Sequence, residues 1–226
     1  MILEVKNVSK SYTQGKESIV VLKDVSFSVE KGQTVAIVGP SGSGKSTLLS
    51  IMAGLDTPDT GDVLIEGEKI AKMSEGELST LRNKKISIIF QSFELVGFFN
   101  ALENITLPLT IRGDKDAEKK GRELLESMNL KGRSKNLPSE LSGGEQQRVA
   151  IGRALASGSE VIFADEPTGN LDSKNGSAVL DLFLRAVKEQ GKTLIIITHD
   201  MTIAKRMDKV YEIKDATVTD KTGQGL

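Results

Sequence analysis

Three short segments of this 226-residue chain place glycines, hydroxyls and charged side chains in patterns suited to phosphate chemistry. The first, Gly39-Pro40-Ser41-Gly42-Ser43-Gly44-Lys45-Ser46, fits the spacing G-x-x-x-x-G-K-[ST]. Glycine lets the backbone wrap closely and take positive φ, so successive N–H groups converge on phosphate oxygens. Lys45 is then set to reach the β- and γ-phosphates of a nucleotide, and the Ser46 hydroxyl to take a magnesium position. The second segment, Val161-Ile162-Phe163-Ala164-Asp165-Glu166, is an apolar strand ending in two carboxylates. Ligands of open α/β sheets sit outside the carboxyl ends of strands, which directs both acids toward the phosphates. Asp165 suits magnesium, and Glu166 suits orienting or deprotonating an attacking water, the equipment of a hydrolase rather than a passive binder.

The third segment is Leu141-Ser142-Gly143-Gly144-Glu145-Gln146-Gln147-Arg148. Ser142 with Glu145 three residues on is a capping box, which makes Ser142 an N-cap. Capping leaves Gly143-Gly144 unexplained, because glycine in a first turn costs roughly 1 kcal/mol each against alanine. Two glycines there allow another group to approach the backbone, and a helix N-terminus opened by Ser-Gly-Gly is a second phosphate-binding surface. One γ-phosphate is already faced by the first loop. Two copies arranged head to tail, each offering this surface to the nucleotide of the other, satisfy both features.

The elements that must position these residues follow from periodicity. Residues 2–12 and 19–30 alternate as strands, and Thr34-Val35-Ala36-Ile37-Val38 is a short apolar run fit for a strand buried on both faces. A helix is expected from Lys45 to about Gly54, a strand at 61–66, helical periodicity at 75–82 and a strand at 86–90. Residues 115–130 carry Ala117, Gly121, Leu124, Leu125 and Met128 on one helical stripe. Helices at 143–156, 174–190 and 200–206 alternate with strands at 160–164 and 193–197, and a strand pair near 209–219 closes the chain. That β–α–β–α–β order implies a parallel sheet. Leu95, Val96, Phe98, Phe99 and Leu102 make an apolar patch read as a loop, which suggests a protein contact.

Composition narrows the remaining classes. The absence of Cys excludes disulfide scaffolds, thiolate zinc and cysteine nucleophiles, and a single His excludes multi-histidine metal sites. A formal net charge of -1 argues against a nucleic-acid partner. Apolar runs such as Thr193-Leu194-Ile195-Ile196-Ile197 are far shorter than the ~20 residues of a membrane-spanning helix. The N-terminus lacks the pattern of a signal peptide, so the expected compartment is the cytoplasm. The 22 glycines are about 10% of the chain, above the ~7% of average proteins.

Leu141–Arg148 resembles the signature of the ATP-binding cassette (ABC) family, and its combination with a phosphate loop makes the chain similar to that family throughout its length. The resemblance implies an α/β fold with a P-loop, RecA-like parallel sheet core, an N-terminal antiparallel β-subdomain and an inserted helical subdomain. A single nucleotide-binding domain would then span 1–226. Within it, 1–91 would hold the β-subdomain and the phosphate-loop part of the core, 92–157 the helical subdomain and 158–226 the remaining core. The step of 120 positions from Lys45 to Asp165 leaves room for that insertion. ATP and magnesium are the implied ligands. Gly39, Pro40, Ser41, Gly42, Ser43, Gly44, Lys45, Ser46 and Thr47 would bind ATP, and Tyr12 resembles the aromatic residue that stacks on adenine. Gln91 resembles the glutamine that contacts magnesium, which it would share with Ser46 and Asp165. His199, followed by Asp200, resembles the histidine that holds the γ-phosphate, giving Glu166, His199, Lys45 and Gln91 as the catalytic set. Ser142, Gly143, Gly144 and Glu145 would contact the nucleotide of the second copy. Asn170-Leu171-Asp172 resembles the loop that communicates across the dimer through Asp172.

Within the family the chain resembles nucleotide-binding subunits of the macrolide-export and lipoprotein-release (MacB/LolD-type) class. The residues are Ala164-Asp165-Glu166-Pro167-Thr168-Gly169-Asn170-Leu171-Asp172, Ala101-Leu102-Glu103-Asn104-Ile105-Thr106-Leu107-Pro108-Leu109 and Leu81-Arg82-Asn83. The first of these is shared with the cell-division cassette ATPase, so a regulatory ABC ATPase signalling without transport is the alternative. Glu94 and Gly97-Phe98-Phe99-Asn100 depart from the class, which usually has an Asn and a Leu-Pro-x-Leu-Thr stretch there. The implied partners are a second copy, an integral membrane permease docking near 92–105, and an extracytoplasmic adaptor. The implied location is the cytoplasm, peripheral to the inner face of the membrane. A kinase would need a substrate lid, and a GTPase an Asn-Lys-x-Asp motif that Asn83-Lys84-Lys85-Ile86 does not supply.

Overall fold

The computed structural model describes residues 1–15 and 17–224, which form two compact units, one of Met1–Arg82 with Thr193–Leu226 and one of Asn83–Lys192. In the first unit, period-two alternation becomes the long strands β1 (Leu3–Gln14) and β2 (Glu17–Val29). They pair antiparallel, with Leu3 opposite Val29 and Tyr12 opposite Ile19. β4 (Thr60–Ile65) and the two-residue β5 (Glu68–Lys69) extend this sheet in the order β2-β1-β4-β5. One face is apolar: Leu3, Val5, Val25 and Val63 are fully buried.

Continuous apolar runs behave differently, as expected for strands covered on both faces. β3 (Thr34–Val38) pairs parallel with β8 (Thr193–Thr198), Val38 lying opposite Thr198. β3 pairs parallel on its other edge with β9 (Lys209–Lys214), which turns back into β10 (Thr217–Asp220). Helices α1 (Lys45–Met52) and α7 (Met201–Ala204) follow β3 and β8. The carboxyl ends of β3 and β8 therefore lie side by side, and this is where the phosphate loop and His199 begin.

The second unit starts within α2 (Glu75–Lys85) and pairs β6 (Ile86–Ile89) parallel with β7 (Val161–Asp165). Its helices are α3 (Ala101–Ile111), α4 (Ala117–Ser127), α5 (Gly143–Ala156) and α6 (Ser173–Glu189), with short 3-10 turns at Lys131–Arg133 and Pro138–Glu140. Gly121 of α4 permits a close helix approach, since a Cβ there would lie 2.3 Å from Thr106 Cγ2.

Most expected elements are present, and one expectation is corrected. Leu102 belongs to helix α3, not to a loop. Asn100 caps that helix through a capping box with Glu103, its Oδ1 accepting from the Glu103 N–H at 2.9 Å. Pro108 sits inside the same helix, where it has no N–H to give to the helical hydrogen-bond ladder. Across the described residues the antiparallel sheet, the parallel strands and the helical insertion agree with the expected mixed α/β fold.

Candidate functional site

In the first unit the phosphate loop leaves β3 and becomes α1. Gly42 (φ 78°) and Gly44 (φ 99°) are left-handed, a conformation that turns consecutive amides the same way. Gly44 stands at the N-cap with no side-chain cap, so the first amides of α1 keep their outward aim. Space demands glycine as well as conformation does. A Cβ at Gly39 would lie 2.4 Å from the Ile213 carbonyl oxygen, and one at Gly44 2.7 Å from that of Val21. Lys45 is buried, and its ammonium donates to the carbonyls of Gly39 (2.9 Å) and Pro40 (2.8 Å), which holds a positive charge at the start of the loop. The Ser43 Oγ is buried without a hydrogen-bond partner. A buried hydroxyl left unpaired costs stability. Together with converging amides and a held cation, it is chemistry that a polyphosphate would satisfy.

Tyr12 extends this corner. The residue is 43% exposed, and its hydroxyl donates to Asp56 Oδ2 at 2.7 Å. The Lys10 ammonium lies 5.1 Å from the ring centroid and donates to Asp56 Oδ1 at 2.9 Å and to the Thr57 carbonyl at 2.7 Å. The bond to Asp56 raises the Tyr12 phenol, and a contact with Thr47 of α1 works against that rise. Burial of Asp56 opposes its charge, but the hydrogen bonds from Lys10 and Tyr12 outweigh it and hold the carboxyl below its usual range. The result is a fixed, partly exposed aromatic face. His199, exposed, follows Thr198 at the carboxyl end of β8, and Asp200 caps α7 by accepting from the Thr202 N–H at 2.7 Å.

In the second unit, parallel pairing of Ile89 with Ala164 brings the carboxyl ends of β6 and β7 together. Gln91 thereby stands beside Asp165 and Glu166. Glu166 is left-handed (φ 45°), a strained state for a side-chain-bearing residue and one that functional sites tend to keep. Its carbonyl accepts the Gly169 N–H at 2.9 Å, closing a tight turn. Gly169 packs close to this glutamine, since a Cβ there would lie 3.0 Å from Gln91 Nε2. Asn170 clasps the same glutamine: its Nδ2 donates to the Gln91 carbonyl (2.9 Å), and Gln91 Nε2 donates to Asn170 Oδ1 (3.3 Å). Asp172 serves as the N-cap of α6, accepting from the Asn175 N–H at 3.0 Å, and this bond lowers its pKa.

Ser142 is the N-cap of α5, as its spacing from Glu145 predicts. The Glu145 carboxylate accepts from the Ser142 N–H (2.9 Å) and the Ser142 hydroxyl (2.8 Å), while its other oxygen accepts from Arg133 Nε at 2.6 Å. Arg133 foremost, then the Ser142 backbone, pushes the Glu145 pKa down to about 2. Gly143 and Gly144 lie only partly covered at the helix start.

Sequence reading missed the residues that hold these loops. Arg153, on α5, donates to the carbonyls of Glu94 (2.6 Å) and Phe93 (3.0 Å), both left-handed at φ 49° and 64°. Asn104, fully buried on α3, accepts from the Val96 N–H at 2.8 Å and donates to the carbonyls of Phe99 (2.9 Å) and Val96 (3.1 Å). Between these two clamps Phe98 is 79% exposed, with Phe99 edge-on at 4.9 Å. Lys10, Asp56 and Arg133 likewise carry no local signal, and the Asn170-Leu171-Asp172 resemblance does not announce Asn170 as the partner of Gln91.

Ser46 offers a hydroxyl in the first unit, and Asp165 and Gln91 a carboxylate and an amide in the second, each a hard oxygen donor of the kind magnesium takes alongside phosphate oxygens. Among the described residues no group of three or more His, Cys, Asp or Glu is placed to hold a metal, and no helix is long and apolar enough to cross a membrane.

A model of the ABC transporter family matches residues 22–169. The macrolide export ATP-binding/permease protein MacB of Mannheimia succiniciproducens is 45% identical over 223 residues, covering 98% of this chain and 34% of that protein. The chain thus spans about a third of the length of that curated relative. Among solved structures, the ATP-binding cassette MJ0796, dimeric in a post-hydrolysis state bound to ADP and Pi, matches with a TM-score of 0.89 at 39% identity. That match covers 99% of this chain and 100% of the other. A second dimeric structure of MJ0796, described as a bacterial ABC transporter cassette, matches with the same TM-score and identity.

Proposed function

The chain belongs to the ABC transporter family and has its cassette fold, and from that premise we propose that it is an ATP-hydrolysing nucleotide-binding subunit. It pairs with a second copy around two ATP molecules and drives an integral membrane permease. The observation that carries this reading is the loop Gly39–Thr47, with two left-handed glycines, a buried ammonium and an unpartnered buried hydroxyl where a polyphosphate would lie. Lys45 and the loop amides hold the β- and γ-phosphates, Tyr12 stacks on the adenine, and His199 contacts the γ-phosphate. Magnesium, held by Ser46, Asp165 and Gln91, would neutralise phosphate charge. Glu166 orients the attacking water. As the water oxygen bonds to the γ-phosphorus and the bond to the β–γ bridging oxygen breaks, Glu166 receives the water proton.

Ser142, Gly143 and Gly144 close on the nucleotide of the second copy, and Asp172 communicates between the copies. The dimeric MJ0796 cassettes support this arrangement, since they match 99% of the chain. The exposed Phe98, braced from two sides, supports the docking of a permease near 92–105. The likeness to a macrolide export protein supports an exporter of the macrolide, antimicrobial-peptide or lipoprotein-release type, peripheral to the cytoplasmic face of the membrane, with an extracytoplasmic adaptor.

The test is Glu166→Gln. Light scattering on a sizing column should show an ATP-dependent dimer, with ATP bound and turnover lost. Wild-type turnover in that variant overturns the assignment.

A further inference from the structure

Glu145 places a full negative charge on the surface that would meet the phosphates of a second copy's nucleotide. An ionised carboxylate only accepts hydrogen bonds. In this structure it takes the single hydroxyl proton of Ser142 at 2.8 Å, so that proton is not offered outward. Ser142 can donate to a phosphate only by releasing Glu145. Its release would leave a bare carboxylate beside an incoming anion, and like charges that close repel. The cation that answers both problems is Arg133, whose Nε donates to the opposite carboxylate oxygen at 2.6 Å. The 3-10 turn that carries Arg133 is fixed locally, with the Arg133 N–H on the Leu130 carbonyl (2.8 Å) and the Asn136 N–H on the Arg133 carbonyl (3.0 Å). Arg148 also feels the Glu145 charge, although burial acts more strongly on it.

We propose that Arg133 is a positioning residue for the signature serine. By neutralising Glu145, it lets the Ser142 hydroxyl leave that carboxylate for a phosphate without baring a charge, and so sets the ATP concentration at which two copies close. This inference rests on the ATP-driven pairing proposed above.

The experiment uses the full chain in the Glu166→Gln background. It follows the ATP concentration for half-maximal dimer by sedimentation, and binding of a fluorescent ATP analogue to the monomer. Arg133→Gln should raise the dimerisation midpoint about tenfold at low salt, and the defect should shrink as salt screens the repulsion. Arg133→Lys, which keeps the charge, should stay near the parent. Adding Glu145→Gln to Arg133→Gln should restore the midpoint, because an amide is uncharged and can donate to Ser142 Oγ. Monomer binding of the analogue should not change. Arg133→Gln pairing at the parental midpoint overturns the inference, and so does a defect that survives both high salt and Glu145→Gln. A parent that binds the analogue yet never pairs overturns the proposed pairing and this inference with it.

Discussion

Replacing Arg153 by Met should loosen the loop that follows β6, and the size of the effect can be worked from its contacts. The guanidinium makes two charge-assisted hydrogen bonds, to the carbonyls of Glu94 and Phe93. Bonds of that kind contribute about 1.5–3 kcal/mol each in mutational series. Glu94 is exposed, so water replaces part of the loss. Phe93 and Glu94 also leave the left-handed region when the clamp goes, which returns about 1–2 kcal/mol per residue. Met keeps the apolar stem packed. The balance is a destabilisation of about 1–2 kcal/mol, which for a chain of this size is a fall in Tm of about 2–8 °C. Thermal unfolding measures the total, and hydrogen exchange of residues 91–99 locates it. Faster exchange should stop at Asn100, where the Asn104 clamp and the capping box take over. An unchanged Tm with unchanged exchange in that loop would refute the reasoning. So would a loss spread evenly over α5.

Two further predictions concern the first unit. The Asp56 pKa is depressed on folding, so its stabilisation is present above the unfolded value of about 4 and is lost as pH falls through the lower folded value. Asp56→Asn should therefore cost about 1–2 kcal/mol at pH 7 in urea unfolding, with the gap to wild type closing below about pH 4; a gap that stays constant with pH contradicts the network. Gly44→Ala forces a side chain into φ 99° and sets its Cβ 2.7 Å from the Val21 carbonyl oxygen. It should cost about 2–4 kcal/mol and abolish nucleotide binding, and a variant with wild-type Tm and affinity would show the loop to be less constrained.

What sequence could reveal divides by distance along the chain. Ser142 with Glu145, and the phosphate loop with its glycines, are local patterns in which each residue's partner lies within a few positions, so residue type alone specifies the geometry. The Asn100–Glu103 capping box obeys the same rule. It went unread because Pro108 and the Phe-rich stretch before it broke the apolar period that would have announced α3. Gln91, His199 and Tyr12 came from family resemblance, and the structure adds the register that sets His199 beside the phosphate loop and Gln91 beside Glu166.

The clamps were illegible for a different reason. Arg153 lies about sixty positions from its acceptors, but distance alone is not the obstacle, since Tyr12 and Asp56 are also far apart and at least pair two distinctive side chains. Arg153 bonds to the backbone carbonyls of Phe93 and Glu94, and Asn104 to those of Val96, Phe99 and Asn100. Every residue offers a carbonyl, so the acceptor leaves no mark in the sequence. A motif can declare which side chains touch a phosphate. The residues that hold a strained loop in place declare themselves only once the backbone is traced, and for that reason the Arg153 prediction tests the structure where the sequence is silent.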